Sequence, residues 1–226
     1  MHVGLIGGIG VAATVVYYQR LTAAAAARGA GRLDLTIVHG DIHELIRNNL
    51  ADRREEQVEA FLPLVERLQR AGCDCAALTS LGAHFCFDEL AARSPLPLIS
   101  GVAPLDAYFA KEGIRRIGLL GTRVVMRTRL YGRLKHTEAV ALDDEIENIG
   151  QTYQDVAVAG ICTLEQRARF LDAGWRMIAQ GAEAIVLAGT DLNLAFDGQN
   201  PGYRVIDALD VHVASLVDLA TGAKGT

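Results

Sequence analysis

Residues Ala184-Ile185-Val186-Leu187-Ala188 form an apolar run that stops abruptly at Gly189-Thr190-Asp191. A short unbroken apolar segment closed by small and polar residues is the pattern of a strand buried on both faces, and such strands belong to parallel sheets covered by helices. The C-terminal end of such a strand opens on a crevice, which is where α/β sheets place their ligands. A second stretch has the same form: Cys75-Ala76-Ala77-Leu78 is apolar, and Thr79-Ser80-Leu81-Gly82-Ala83-His84 follows it. Two strand ends of this kind point to an α/β fold in which both face one site.

The rest of the chain supplies the alternation that this fold needs. Strands are predicted at 3–6, 33–38, 75–78, 98–101, 117–120, 139–142 and 184–188, with a short edge element at 205–207. Between them the pattern predicts helices at 12–28, 52–70, 85–92, 104–111, 124–134, 143–158, 163–180 and 211–219. The clearest of these has Val58, Phe61, Leu62, Val65 and Leu68 at three-to-four spacing. The tail 221–226 is expected to fray. Gly4-Leu5-Ile6-Gly7-Gly8 is echoed by Gly118-Leu119-Leu120-Gly121-Thr122, so two related α/β lobes, each a parallel sheet flanked by helices, are expected around a shared cleft. The first lobe is assigned 1–98 together with the returning C-terminal helix at 207–226, and the second 99–206.

Composition excludes several partners. The net charge is −5 and no Lys/Arg run is present, which argues against nucleic acid. No apolar run reaches the eighteen or more residues of a membrane span. The sequence enters its first strand without a charged leader, so a cytoplasmic protein is expected. The four cysteines, Cys73, Cys75, Cys86 and Cys162, lack the paired spacing of a metal site and read as reduced, buried thiols.

Gly8-Ile9-Gly10-Val11-Ala12-Ala13 fits a G-x-G-x-x-A turn between a strand and a helix. A dinucleotide site also needs an acidic residue closing the second strand. Asp34 stands at the start of that strand and Asp41 beyond its end. The turn is therefore read as an anion site at a helix N-terminus, made by Gly8, Ile9 and Gly10 and suited to a carboxylate.

Taken together, Gly4 to Gly8 with Tyr17-Tyr18, Ser80 to His84, Leu119 to Arg123 with Met126 and Tyr131, Ile185 to Leu192, and Val205-Ile206-Asp207 followed by His212 resemble the aspartate/glutamate racemase superfamily, in its amino-acid racemase branch, over nearly the whole chain. The resemblance implies a pseudo-symmetric two-lobe isomerase that uses neither pyridoxal phosphate nor a metal. It implies two groups on opposite faces of a substrate α-carbon, one taking the proton and the other returning it, with backbone amides spreading the developing charge. It also implies a small carboxylate-bearing, amino acid-like substrate; a homodimer stays open.

The two motifs that carry the chemistry depart from the family pattern. Cys-Asn-Thr-x-His is here Ser80-Leu81-Gly82-Ala83-His84, and Gly-Cys-Thr-Glu is Ala188-Gly189-Thr190-Asp191. Neither catalytic thiol is kept, and a serine hydroxyl is a far weaker acid than a thiol and needs a neighbour to act as a base. Ser80 and Asp191 are the candidate catalytic pair, with His39, Asp41 and His84 as other neighbours of Ser80. Substrate-binding candidates are Gly8, Ile9, Gly10, Asp41, Arg47, Leu81, Gly82, Thr122, Arg123, Gly189 and Thr190. Arg47, placed in a loop, and Arg123, at a strand end, are the candidate carboxylate clamps. The loss of two polar groups at Leu81-Gly82 suggests a less polar substrate than aspartate. Three functions stay open: racemisation or epimerisation at an α-carbon with a Ser/Gly pair in place of Cys/Cys, decarboxylation or cis–trans isomerisation of a small dicarboxylic acid, and ligand binding without catalysis.

Overall fold

The computed structural model describes residues 1–29 and 33–222. The chain runs β1 His2–Gly7, α1 Val11–Ala27, β2 Asp34–His39, α2 Ile42–Leu50, α3 Arg54–Arg70, β3 Cys75–Leu78, α4 Phe87–Arg93 and β4 Leu98–Ile99. It continues α5 Leu105–Lys111, β5 Arg116–Gly121, α6 Arg123–Arg127, β6 Glu138–Val140, α7 Ile146–Ala159, α8 Leu164–Ala179, β7 Ala184–Ala188, α9 Asn193–Phe196, β8 Val205–Asp207 and α10 Ala208–Thr221.

The strands make two four-stranded sheets, β2-β1-β3-β4 and β6-β5-β7-β8, and every pairing is parallel. The two orders are the same when the second sheet is counted from β5, which gives the internal symmetry that the repeated Gly-rich segments predicted. In each sheet the order reverses between the two central strands, β1 and β3 or β5 and β7, and this is where a crevice opens at the C-terminal strand ends. β3 and β7 are buried at every residue, as uninterrupted apolar runs require.

One core cluster fills the second lobe around β5, β7, α7 and α8. Another lies between the first sheet and α3, with Phe61, Val65 and Leu68 at its centre. A third packs Leu209, Val213, Leu216 and Val217 of α10 against Val3, Leu5, Tyr17 and Leu21. The C-terminal helix thus returns to the first lobe, and Arg20 of α1 fastens the start of that helix through Asp207 at 2.6 Å and Asp210 at 2.8 Å.

Several predicted bounds shift. The fourth strand, predicted at 98–101, is only Leu98–Ile99, paired with Ala76 and Ala77 of β3. Arg47 sits on a helix, α2, rather than in a loop. Its helix starts because the Asp41 carboxylate accepts from the amides of His43 and Glu44 at 2.7 and 3.0 Å, a side-chain N-cap. The helix predicted to reach 134 ends at Arg127, after which Arg129, Leu130 and Tyr131 all take positive φ, at 49°, 58° and 61°. Of the tail expected to fray, Thr221 ends α10 and Gly222 caps it in the left-handed conformation; 223–226 lie outside the described residues. No described helix is long and apolar enough to cross a membrane.

Candidate active site

Four turns, one after each central strand, meet between the lobes. Those after β1 and β3 come from the first lobe, and those after β5 and β7 from the second. A cleft with a cavity volume of about 50 Å³ lies between them. It joins Ile9, Ser80 and Gly82 to Thr122, Arg123 and Tyr153, and α2 covers its other side. This volume holds a few water molecules.

Ser80 stands two residues past the end of β3 and is 4% exposed. Among the described residues its Oγ has no hydrogen-bond partner. The carbonyl of Ser80, not the hydroxyl, meets His84, whose Nδ1 lies 3.0 Å from it. The other ring nitrogen, Nε2, accepts from the Gly101 amide at 2.9 Å. Burial pushes the His84 imidazole down to about 4. Both nitrogens are thus committed to holding the neutral ring in place, and His84 is a packing residue rather than a base for Ser80. His212 is likewise buried and held neutral, pushed down to about 3 by burial, with Nδ1 2.8 Å from Tyr17 Oη.

The motif departures have packing reasons. Leu81 is fully buried within the core cluster of the second lobe, so it joins the lobes and is not a substrate contact. A Cβ on Gly82 would lie 2.8 Å from Thr122 Cγ2; glycine allows that close approach from the opposite lobe. Across the cleft, a Cβ on Gly189 would lie 2.7 Å from Cζ and 2.9 Å from Cδ2 of Tyr153. Any side chain at 189 would overlap that ring. Tyr153 therefore fills the space that a side chain at 189 would occupy.

Behind Tyr153 lies Asp191, 1% exposed. Its Oδ2 accepts from Tyr153 Oη at 3.2 Å and its Oδ1 from the Ala13 amide at 3.1 Å. Ala13 is the third residue of α1, so a carboxylate from the second lobe caps a helix of the first, where the free amides and the helix dipole favour negative charge. A Cβ on Gly10 would lie 2.9 Å from Asp191 Oδ1 and 3.0 Å from its Cγ. The anion met at the Gly8-Ile9-Gly10 turn is thus the protein's own carboxylate. Desolvation raises Asp191 to about 6, against the lowering effect of the Ala13 amide and Tyr153 hydroxyl. Tyr153 is raised well above its usual range, by burial first and then by the Asp191 charge, and stays protonated. Thr190 closes the seam, its Oγ1 donating to the Thr79 carbonyl at 3.0 Å.

The remaining expected residues divide. Arg123, at the first position of α6, spans the cleft wall. Its Nε donates to Glu147 at 3.2 Å, Nη1 to Gln154 at 2.9 Å and Nη2 to Gln151 at 2.6 Å. A guanidinium carries five N–H groups, and these three bonds orient the fork. Asp41 caps α2 and, with Gly8, His39 and His43, lines a separate cavity on the first lobe. Arg47 is exposed and borders an outer groove with Gln154 and Asp155. All four cysteines are free, three of them buried, and burial pushes Cys86 up to about 12. Among the described residues no group of three or more His, Cys, Asp or Glu is placed to hold a metal ion.

Sequence reasoning missed Tyr153, Gln154 and the α2 wall. Tyr153 belongs to the buried stripe of α7, and that period alone does not distinguish it from a core aromatic residue. The start of α2 did carry a signal: Asp41 precedes apolar residues at helical spacing, with Glu44 three positions on.

The Asp/Glu/Hydantoin racemase family model matches residues 6–216. Among solved structures the chain is similar to a candidate Asp/Glu racemase from Yersinia pestis, with a TM-score of 0.81 and 24% identity over 97% of this chain and 99% of that one. It is similar to an aspartate racemase homologue from Pyrococcus horikoshii OT3, with a TM-score of 0.75 and 22% identity over 97% and 98% of the two chains. It is also similar to an aspartate racemase from Picrophilus torridus, with a TM-score of 0.77 and 19% identity over 97% and 94%. At these identities the likeness establishes the two-lobed fold.

Proposed function

Since the chain belongs to the Asp/Glu/Hydantoin racemase family, we propose that it is a cofactor-independent racemase or epimerase of a small carboxylate-bearing substrate, with proton transfer at the α-carbon between the lobes. The observation that carries this is the pair of groups lining one cleft from opposite lobes: the unpartnered Ser80 hydroxyl and the Tyr153 ring with Asp191 behind it. Arg123 holds the substrate carboxylate through its guanidinium.

On the Tyr153 face, the α-proton passes to Tyr153 Oη as the tyrosine proton passes to the ionised Asp191 carboxylate. The electron pair of the broken C–H bond stays on the substrate as a carbanion or enolate. On the Ser80 face, Oγ–H protonates that carbon while Oγ recovers a proton from water, and the hydroxide left behind is neutralised by the proton that Asp191 releases. Asp191 then loses its proton to solvent. In the reverse direction the two faces exchange roles. A carboxylate raised to about 6 suits a base working near neutral pH better than an isolated serine does.

The direct test follows the α-proton of amino acids by NMR in deuterated water. Exchange that is lost in Ser80→Ala and in Asp191→Asn supports the assignment. Exchange unchanged in either variant removes that residue from it, and saturable binding with no exchange at all would leave a ligand-binding protein. A cytoplasmic homodimer completes the proposal. Val11, Val15 and Tyr18 on one face of α1, with Val158, Ile161 and Leu164 at the α7–α8 corner, are large apolar residues left exposed, as at an interface. Sedimentation as a monomer at micromolar concentration would remove the dimer.

A further inference from the structure

The two walls of the cleft differ in chemistry. α2 turns Ile42, Leu45, Ile46 and Leu50 toward it, and Ile9 continues that surface from the first turn. These positions follow the three-to-four spacing of one helix face. The one polar side chain on that face of α2, Asn49, is already used, its Nδ2 donating to the Gly82 carbonyl at 3.0 Å. The opposite wall holds Thr122, Arg123, Tyr153 and Gln154. Arg123 is the one charged side chain among the described residues lining the cleft. Asp41 and Arg47 face other cavities.

A dicarboxylate would need a second cation or a set of free donors opposite Arg123, and the structure puts an aliphatic surface there. Burying a second carboxylate against it, unpaired, is costly. From this we infer that the substrate carries one carboxylate, seated on Arg123, and a branched apolar side chain seated on the α2 wall. The inference rests on the cleft being the substrate site, as the proposed function has it. It shifts the basis for a less polar substrate from Leu81, which is buried in the core, to α2, which lines the cavity.

Isovalerate and malonate test this, because they match in size and differ in replacing one carboxylate by an isopropyl group. Titration of the full chain with each, followed by ligand-observed NMR, should show isovalerate binding tighter by about tenfold or more, the contribution of a buried branched side chain. Ile46→Lys should reverse the preference by adding a second cation to the wall. Should that variant fail to fold, Leu50→Lys at an exposed position serves the same purpose. Malonate binding as tightly as isovalerate, or a preference unmoved by both lysine variants, overturns the inference. Binding of neither compound overturns it too. Neither probe is an amino acid turned over at its α-carbon, so the outcome is independent of whether the exchange assay detects catalysis.

Discussion

A carboxylate from one lobe that caps a helix of the other is the residue-scale centre of this molecule. Asp191 must be ionised to accept a proton through Tyr153, so kcat/KM should rise as pH increases through about 6 and level off above it. Asp191→Asn should lower activity by roughly two orders of magnitude or more and abolish that limb of the pH profile. A profile that keeps its limb in the variant assigns it to another group. Gly189→Cys should not restore a thiol-based enzyme, because Tyr153 occupies the space. Overpacking there should cost about 1–3 kcal/mol, and less in a Tyr153→Ala background, a coupling that urea titration of the four proteins measures. At this scale the sequence was informative about which positions close the strand ends but silent about what packs against them. Ser80 and Gly189 stand out because they follow apolar strands. Tyr153 reaches Gly189 only through the packing of α7 on β7, which no local pattern encodes.

The elements with strong periods were the legible ones. β3, β7 and α3 were found because an unbroken apolar run or a sustained helical stripe is a property of the segment itself. α2 was missed because it is only nine residues long and its apolar face, Ile42, Leu45, Ile46 and Leu50, lines the cleft rather than a core, with only Leu45 and Asn48 buried. The segment after α6 misled for another reason. Nothing at Arg129, Leu130 or Tyr131 forbids a helix, yet all three are left-handed, a conformation costly for non-glycine residues. A tertiary contact accounts for it: Tyr131 Oη donates to the Leu81 carbonyl at 2.8 Å and reaches that of Gly82 at 3.2 Å. The turn thus delivers a hydroxyl from the second lobe to the strand end that presents Ser80. Tyr131→Phe should cost about 1 kcal/mol of stability, measured by denaturant unfolding. A variant as stable as the parent would show that the turn is held by other contacts.

At the scale of the whole molecule, the doubled strand order and the returning α10 place four turns around one cleft, and the seam between the lobes is itself titratable. Asp191 has a folded-state value of about 6 against an ordinary 3.8. Its neutral form is thus favoured by folding, and that stability is fully present below pH 3.8 and lost as pH rises through 6. The loss is about 3 kcal/mol, so Asp191→Asn should be at least as stable as the parent at pH 8, by thermal unfolding, while being far less active. That opposition is the mark of a buried charge kept for chemistry rather than for packing. The symmetry of the fold was visible in the repeated Gly-rich segments. The closing of the lobes on Asp191 was not, because it depends on Ala13 and Asp191 meeting from opposite ends of the chain. The most direct test is α-proton exchange in deuterated water, with branched-chain amino acids and aspartate compared for the parent, Ser80→Ala and Asp191→Asn. Exchange is expected in the parent, faster for the branched-chain substrates, and is expected to be lost in both variants. Exchange that survives both substitutions would contradict the assignment of Ser80 and Asp191.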